Sequence, residues 1–414
     1  MGHKNIFGFL VFLKLVGEAR LTIISTVMFL LLVSALVSCA ESGNANQDVV
    51  YDNDNLEETN RKHNHLTTGD YINDIVNHPA FEGFGELLLP RDNNSGHYNT
   101  VLKSVAALMP YHGHVVPEDV VEALNCMIDD AIQGNKIFYD FYNDGQKQND
   151  PSKKNTGLFF LKGNPGAPFA LICPGGGFSY VGSLHEGFPL AEAISKKGYN
   201  SFVIRYRIGG EQIATEDLAA AISYIFKNAS ELGVDTARYA LIGGSAGARM
   251  VGNIALNGVS AYGGDRLPKP AVAVIAYTGQ SSYSDKFPPT FITVAANDPI
   301  VNVSTVDLRV ANLRNSGVEV EYRKYKTAGH GFGLGTGSDA EGWLDVAVDF
   351  WERHFGSENI QGSLHDINYL LDDGIVPASK VYTTNNYKSR KNENNESFFS
   401  ANGFDNADWQ HKSD

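Results

Sequence analysis

Apolar positions along this chain follow two rhythms. Between residues 71 and 135 they recur at three- and four-residue intervals. Ile72, Ile75 and Val76 form one stripe, Val101, Val105 and Leu108 a second, and Val120, Val121, Leu124, Met127 and Ile128 a third. That spacing puts each set on one side of a helix. Pro79 and Pro110 stop the first two, and Pro117 and Gly134 bracket the third. From Lys136 the rhythm changes to short apolar runs alternating with helical stripes. Ile137 to Tyr142 and Leu158 to Leu161, joined by a polar loop containing Asp150-Pro151, read as an antiparallel pair at a sheet edge. Phe169 to Cys173, Ser201 to Tyr206, Tyr239 to Ile242, Ala271 to Ala276, Phe291 to Ala295 and Val318 to Tyr325 read as further strands.

Helical stripes lie between these runs. One carries Pro189 in its first turn and ends at Lys197 before Gly198, the usual asymmetry of helix ends. Others carry Leu218, Ala221, Ile222 and Ile225, then Met250, Val251 and Ile254, then Val306, Val310 and Leu313 before Gly317. The last carries Trp343, Val346, Ala347 and Phe350. Near-continuous apolar strands separated by helices predict an α/β fold, a mostly parallel sheet covered by helices. Such sheets bind ligands outside the carboxyl ends of their strands. Candidate chemistry is therefore expected just after each strand.

The two ends of the chain lack this alternation. Lys4, Lys14 and Arg20 precede an uncharged run of 18 residues, Leu21 to Ser38, the pattern of an export signal. Leu36-Val37-Ser38-Cys39 resembles the lipobox of bacterial lipoproteins, which implies signal removal and acylation of Cys39. An uncleaved anchor is the alternative, and either form exports and tethers the protein to the cell envelope. The expected division is a signal over 1–38, a polar spacer over 39–70, a helical segment over 71–135, a catalytic domain over 136–355 and a tail over 356–414.

Composition narrows the function classes. The 414 residues carry 33 Lys+Arg and 47 Asp+Glu, a net charge of −14. No basic surplus exists to displace counterions, so nucleic acid is not an expected partner. Cys39, Cys126 and Cys173 are the only cysteines, too few for a disulfide scaffold or a Cys-rich zinc module. His63-x-His65 and His112-x-His114 lack neighbouring Cys or carboxylate clusters, and no metal or cofactor is expected.

Three loops after strands carry the chemistry. Gly243-Gly244-Ser245-Ala246-Gly247 lies between a strand and an apolar helix, the context in which G-x-S-x-G marks a nucleophile elbow. A serine hydroxyl needs a base. His330 follows the strand ending near Tyr325, and Asp298 follows the strand ending at Ala295. The order Ser245, Asp298, His330 is that of this elbow type, with His330 as base and Asp298 fixing its tautomer. Asp285 and Asp307 are rival acids that do not directly follow a strand. Cys173-Pro174-Gly175-Gly176-Gly177 also follows a strand. The N–H groups of Gly176, Gly177 and Ala246 are the expected oxyanion donors. No G-K-[ST] follows, so a phosphate loop is not indicated.

From about 136 to 355 the chain resembles α/β-hydrolases of the esterase/lipase type. It is most similar to the acetylxylan- and feruloyl-esterase-like branch. The resemblance rests on Cys173 to Phe178, Tyr206-Arg207, Asp217 to Ala221, Gly243 to Gly247, Asn297-Asp298 and Gly329 to Gly331. Lipase relatives usually carry His where Pro174 stands, and the CPGGG form resembles the carbohydrate-esterase side. The resemblance implies a serine carboxylesterase acting on a short acyl ester, such as an acetyl group on a glycan. Phe178, Tyr180, Tyr277 and Tyr283 are candidate cleft aromatics. A peptidase or lipase of the same fold, and an inactive surface-binding lipoprotein, are the alternative readings.

Overall fold

The computed structural model describes residues 65–355. The leader, Cys39, His63 and the segment from 356 onward lie outside the described residues. Eight strands form one sheet: β1 Phe138–Tyr139, β2 Gly157–Leu161, β3 Pro168–Cys173, β4 Asn200–Arg205, β5 Asp235–Gly244, β6 Val272–Ala276, β7 Thr290–Ala295 and β8 Val320–Tyr325. Their order is β1-β2-β4-β3-β5-β6-β7-β8. The β1/β2 and β2/β4 pairs are antiparallel, and every later pairing is parallel. β3, β4, β6 and β7 are buried at every residue, as strands covered on both faces of the sheet are.

Among the described residues the α-helices are α1 Ile72–Val76, α2 Pro117–Ile132, α3 Asp144–Asn149, α4 Phe188–Lys196, α5 Glu211–Lys227, α6 Ala229–Leu232, α7 Ser245–Asn257, α8 Val303–Asn315 and α9 Trp343–Glu352. α2 buries Val120, Ala123, Leu124, Met127 and Ile128. It packs against α4. The residues before 136 therefore share the core of the sheet domain. Arg205 fastens them from β4. Its Nη1 donates to the carbonyls of Leu89 and Pro90, and its Nη2 to Asp92 Oδ1 at 2.8 Å.

Three boundaries differ from expectation. Packing begins at residue 65, within the expected spacer: Leu66 is buried, and its N–H and C=O both bond the Asn125 amide on α2. The strand expected over 137–142 shrinks to two residues, because Asn143 caps α3 through a capping box and turns the chain. The stripe Val101 to Leu108 winds as tight 3-10 turns broken at Ser104. β8 closes one edge of the sheet with exposed charges. Arg323 and Arg353 pair with Glu321, and Lys324 pairs with Asp307 at 2.8 Å.

Candidate active site

β5 runs directly into α7, and Ser245 sits at the junction with φ +50°. That left-handed backbone is costly for a residue with a side chain, of order 1–3 kcal/mol. The flanking glycines explain how the turn is possible. A Cβ on Gly247 would stand 1.8 Å from the carbonyl oxygen of Cys173, and one on Gly243 would stand 2.6 Å from the Ala248 nitrogen. Only a bare Cα lets α7 approach β3 this closely. Among the described residues, Phe178, Ser245, Tyr277 and His114 are the non-glycine residues at positive φ. The first three line one cleft of about 590 Å³. Strain of this kind concentrates where function holds the backbone.

The three residues read as a triad come together at the carboxyl ends of β5, β7 and β8. Ser245 Oγ lies 2.9 Å from His330 Nε2, and His330 Nδ1 lies 2.8 Å from Asp298 Oδ2. The carboxylate of Asp298 is fully covered. Its other oxygen accepts the N–H groups of Ile300 and Val301, each at 2.8 Å. An ionised, acceptor-only Asp298 requires the proton on Nδ1, which leaves Nε2 free to accept from Ser245. Asp298 is not a helix cap: Asn302 caps α8, accepting from the Ser304 N–H. Asn297 ties the acid loop to the histidine loop, accepting from the Gly329 N–H at 2.9 Å. Of the rival acids, Asp307 is engaged by Tyr322 and Lys324, and Asp285 by the Ser284 hydroxyl.

The glycine run after β3 lies beside Ser245. A Cβ on Gly175 would reach to 2.9 Å from the Ser245 Cβ. Tyr206, at the end of β4, donates its hydroxyl to the Pro174 carbonyl at 2.7 Å. Arg207 next to it grips Asp217 with its side chain and backbone N–H. These contacts explain why Tyr206-Arg207 and Asp217 belong with the motif. Gly177 and Ala246 line the cleft with Ser245, while Gly176, with φ +131°, is buried and outside the lining. Among the described residues, no protein acceptor takes the N–H of Gly176 or Gly177.

The cleft wall is more polar than expected. Glu211 and Arg249 line it as an ion pair at 2.7 Å, with Thr278, Asn302 and Thr305 nearby. Of the four aromatics expected there, Phe178 and Tyr277 line the cleft. Tyr180 is instead fully buried, with its hydroxyl accepting the Tyr111 N–H at 2.9 Å. Tyr283 is exposed and away from the lining.

Sequence reasoning missed Glu186. Its side chain is 1% exposed, and its Oε2 accepts the Gly175 N–H at 2.6 Å. His112 Nε2 faces the other oxygen, Oε1, across 3.2 Å, an ion-pair contact that leaves Oε1 without a formal hydrogen bond. Burial raises this carboxyl, but the neighbouring His112 and the Gly175 N–H outweigh it and bring the pKa down to about 2. The one available signal was a glutamate at the start of a helix just after the glycine loop. Of the other histidines weighed as ligands, His65 pairs with Asp129 at 2.8 Å. Among the described residues, no group of three or more His, Cys, Asp or Glu is placed to hold a metal. Cys126 is half-buried and Cys173 buried. Burial raises both thiols, that of Cys126 to about 11.

Comparison with known proteins points the same way. The family model BD-FAE matches residues 162–263. An acetylxylan esterase of Xylanibacter ruminicola is 24% identical over 208 residues, covering 43% of this chain and 43% of that protein. Endo-1,4-beta-xylanase B of Butyrivibrio fibrisolvens is 32% identical over 93 residues, 21% of this chain and 14% of that protein. The chain thus spans less than half the length of these curated relatives. Among solved structures it is similar to MGS-M1, an alpha/beta hydrolase from a Medee basin deep-sea metagenome library. Identity there is 23% and the TM-score 0.43, over 48% of this chain and 92% of that one. The strand order and the strand–serine–helix turn described above make the fold an α/β-hydrolase fold.

Proposed function

We propose that this chain is a serine carboxylesterase that removes short acyl groups, acetyl foremost, from polysaccharides or oligosaccharides. The observation that carries the reading is the unbroken chain Ser245 Oγ–His330 Nε2 and His330 Nδ1–Asp298. Ser245 attacks the ester carbonyl as His330 takes its proton. The oxyanion is held by the N–H groups of Gly176, Gly177 and Ala246, each such donor being worth roughly 10²–10³ in rate. His330 returns the proton to the departing alkoxide, which leaves as an alcohol. A water activated by the same histidine then hydrolyses the acyl-enzyme, releasing the acid and free Ser245.

The short-acyl choice is supported by the cleft wall, where a long alkyl chain would have to desolvate the Glu211–Arg249 pair. The glycan choice is supported by the relatives named as an acetylxylan esterase and a xylanase. We propose further that Cys39 is lipidated after signal cleavage and holds the enzyme at the cell envelope. The lipobox-like Leu36 to Cys39 supports this. A fluorophosphonate probe should modify Ser245 in the folded protein, and Ser245→Ala should abolish turnover. Turnover should favour p-nitrophenyl acetate and acetylated xylo-oligosaccharides. Preference for octanoate or longer would indicate a lipase, preference for amides a peptidase, and absence of any adduct a binding protein. Metabolic labelling with an alkyne fatty acid tests the anchor, and an unlabelled mature protein refutes it.

A further inference from the structure

The residues before the sheet domain reach into the catalytic centre. Tyr111, His112 and Gly113 run between the glycine loop and the His330 loop. The Gly113 N–H donates to the His330 carbonyl at 2.9 Å. A Cβ on Gly331 would meet Tyr111 O and His112 Cα at 3.0 Å, so this strap lies flat against the histidine loop. On its other side, the His112 ring fills the space beside Gly182, where a Cβ would stand 2.7 Å from it. The ring is 1% exposed.

The hydrogen bonds fix which way the ring works. Tyr180 Oη lies 2.9 Å from both the Tyr111 nitrogen and His112 Nδ1. An ionised carboxylate only accepts, so Glu186 calls for a proton on Nε2, and the Tyr180 hydroxyl can then give its own proton to Nδ1. The imidazole proton is then on Nε2 and faces Glu186. Glu186 in turn accepts the Gly175 N–H at its Oε2. A Cβ on either Gly175 or Gly244 would fall within 2.7 Å of Glu186 Oε2, which places this oxygen between the glycine loop and the nucleophile strand.

We propose that His112 is a positioning residue for ester hydrolysis: through Glu186 it holds the Gly175 backbone, and so the oxyanion donors that follow, against Ser245. A fully buried carboxylate that loses the polar group facing its Oε1 must either take up a proton or draw in water. Either change loosens the one side-chain tie on the Gly175 N–H. This inference rests on the esterase reading and adds to it a function for the helical segment before residue 136.

The test compares His112→Gln with His112→Leu, both of which fill the ring's space. Only glutamine keeps an N–H for Glu186. Each is assayed with p-nitrophenyl acetate beside the wild-type chain, and urea midpoints correct for the folded fraction. Leucine should lower kcat by about 10²-fold with little change in KM, because the misplaced group is needed at the transition state rather than for binding. Glutamine should recover most of that loss. Equal kcat in the two variants, or a leucine variant within about threefold of wild type, overturns the proposal while leaving the esterase reading intact. An inert wild-type protein overturns both.

Discussion

Gly247→Ala tests the geometry of the elbow most directly. The added methyl group would be placed 1.8 Å from Cys173 O, 2.5 Å from Cys173 C and 2.8 Å from Pro174 O. Contacts under 3.0 Å are essentially never seen, so the first requires roughly 1.2 Å of movement. Neither side yields easily. Cys173 is the last residue of β3, held between β4 and β5, and Gly247 lies in the first turn of α7. Pro174 opens the loop that carries the proposed oxyanion donors, so that loop is what moves. Overpacking of this kind costs typically 1–3 kcal/mol of stability. Displacing catalytic groups by about 1 Å costs on the order of 10²-fold in rate. We expect kcat for p-nitrophenyl acetate to fall about 10²-fold with KM little changed, and the urea midpoint to drop accordingly. Gly96→Ala is the control, since nothing lies within 4 Å of its Cβ position. A Gly247→Ala protein with wild-type kcat and an unshifted midpoint would refute the claim that bare backbone is required there.

Two other outcomes follow from the same site. Asp298→Asn keeps the shape but presents an amide donor to His330 Nδ1, forcing the proton to Nε2 and removing the acceptor for Ser245. Kcat should fall about 10⁴-fold with the fold intact, and a loss under about tenfold would show that the tautomer is not fixed by this residue. His185 is buried, its Nε2 bonds the Gly331 carbonyl at 3.0 Å, and burial lowers its pKa from 6.5 to about 4. The unfolded chain therefore takes up this proton first as pH falls. The contribution is whole above about pH 6.5 and erodes down to about pH 4, by on the order of 3 kcal/mol in full. His185→Gln should flatten the decline of the urea midpoint between pH 7 and 4.5, and parallel curves would refute the assignment.

What was readable in the sequence follows from where the information is local. The buried strands announce themselves most plainly in β3 and β6, which have no polar residue to interrupt the run. Ser245, Asp298 and His330 are readable as a set because each follows a strand end. The structure brings the three within hydrogen-bonding reach of one another. β1 is shorter than its apolar run because Phe141 and Tyr142 are buried for another reason: Tyr142 packs inward and donates its hydroxyl to Asp217. Tyr180 reads as a cleft residue because Phe178 is one, but its ring is buried and its hydroxyl is taken by Tyr111 and His112. The pairing of His112 with Glu186 spans 74 positions and joins no motif, so no local pattern reports it.

The charged edge at β8 bears on behaviour at high concentration. An open parallel sheet ends in a row of unpaired backbone donors and acceptors, a template on which a second copy could add a strand. In β8 the side chains of Glu321, Arg323 and Lys324 are committed to a lattice of ion pairs with Asp307 and Arg353. Such pairs add little to stability in water. To lay another strand along that edge, however, the lattice must be broken and its charges stripped of solvent. Their value is thus as a barrier to self-association, felt most where many copies crowd together.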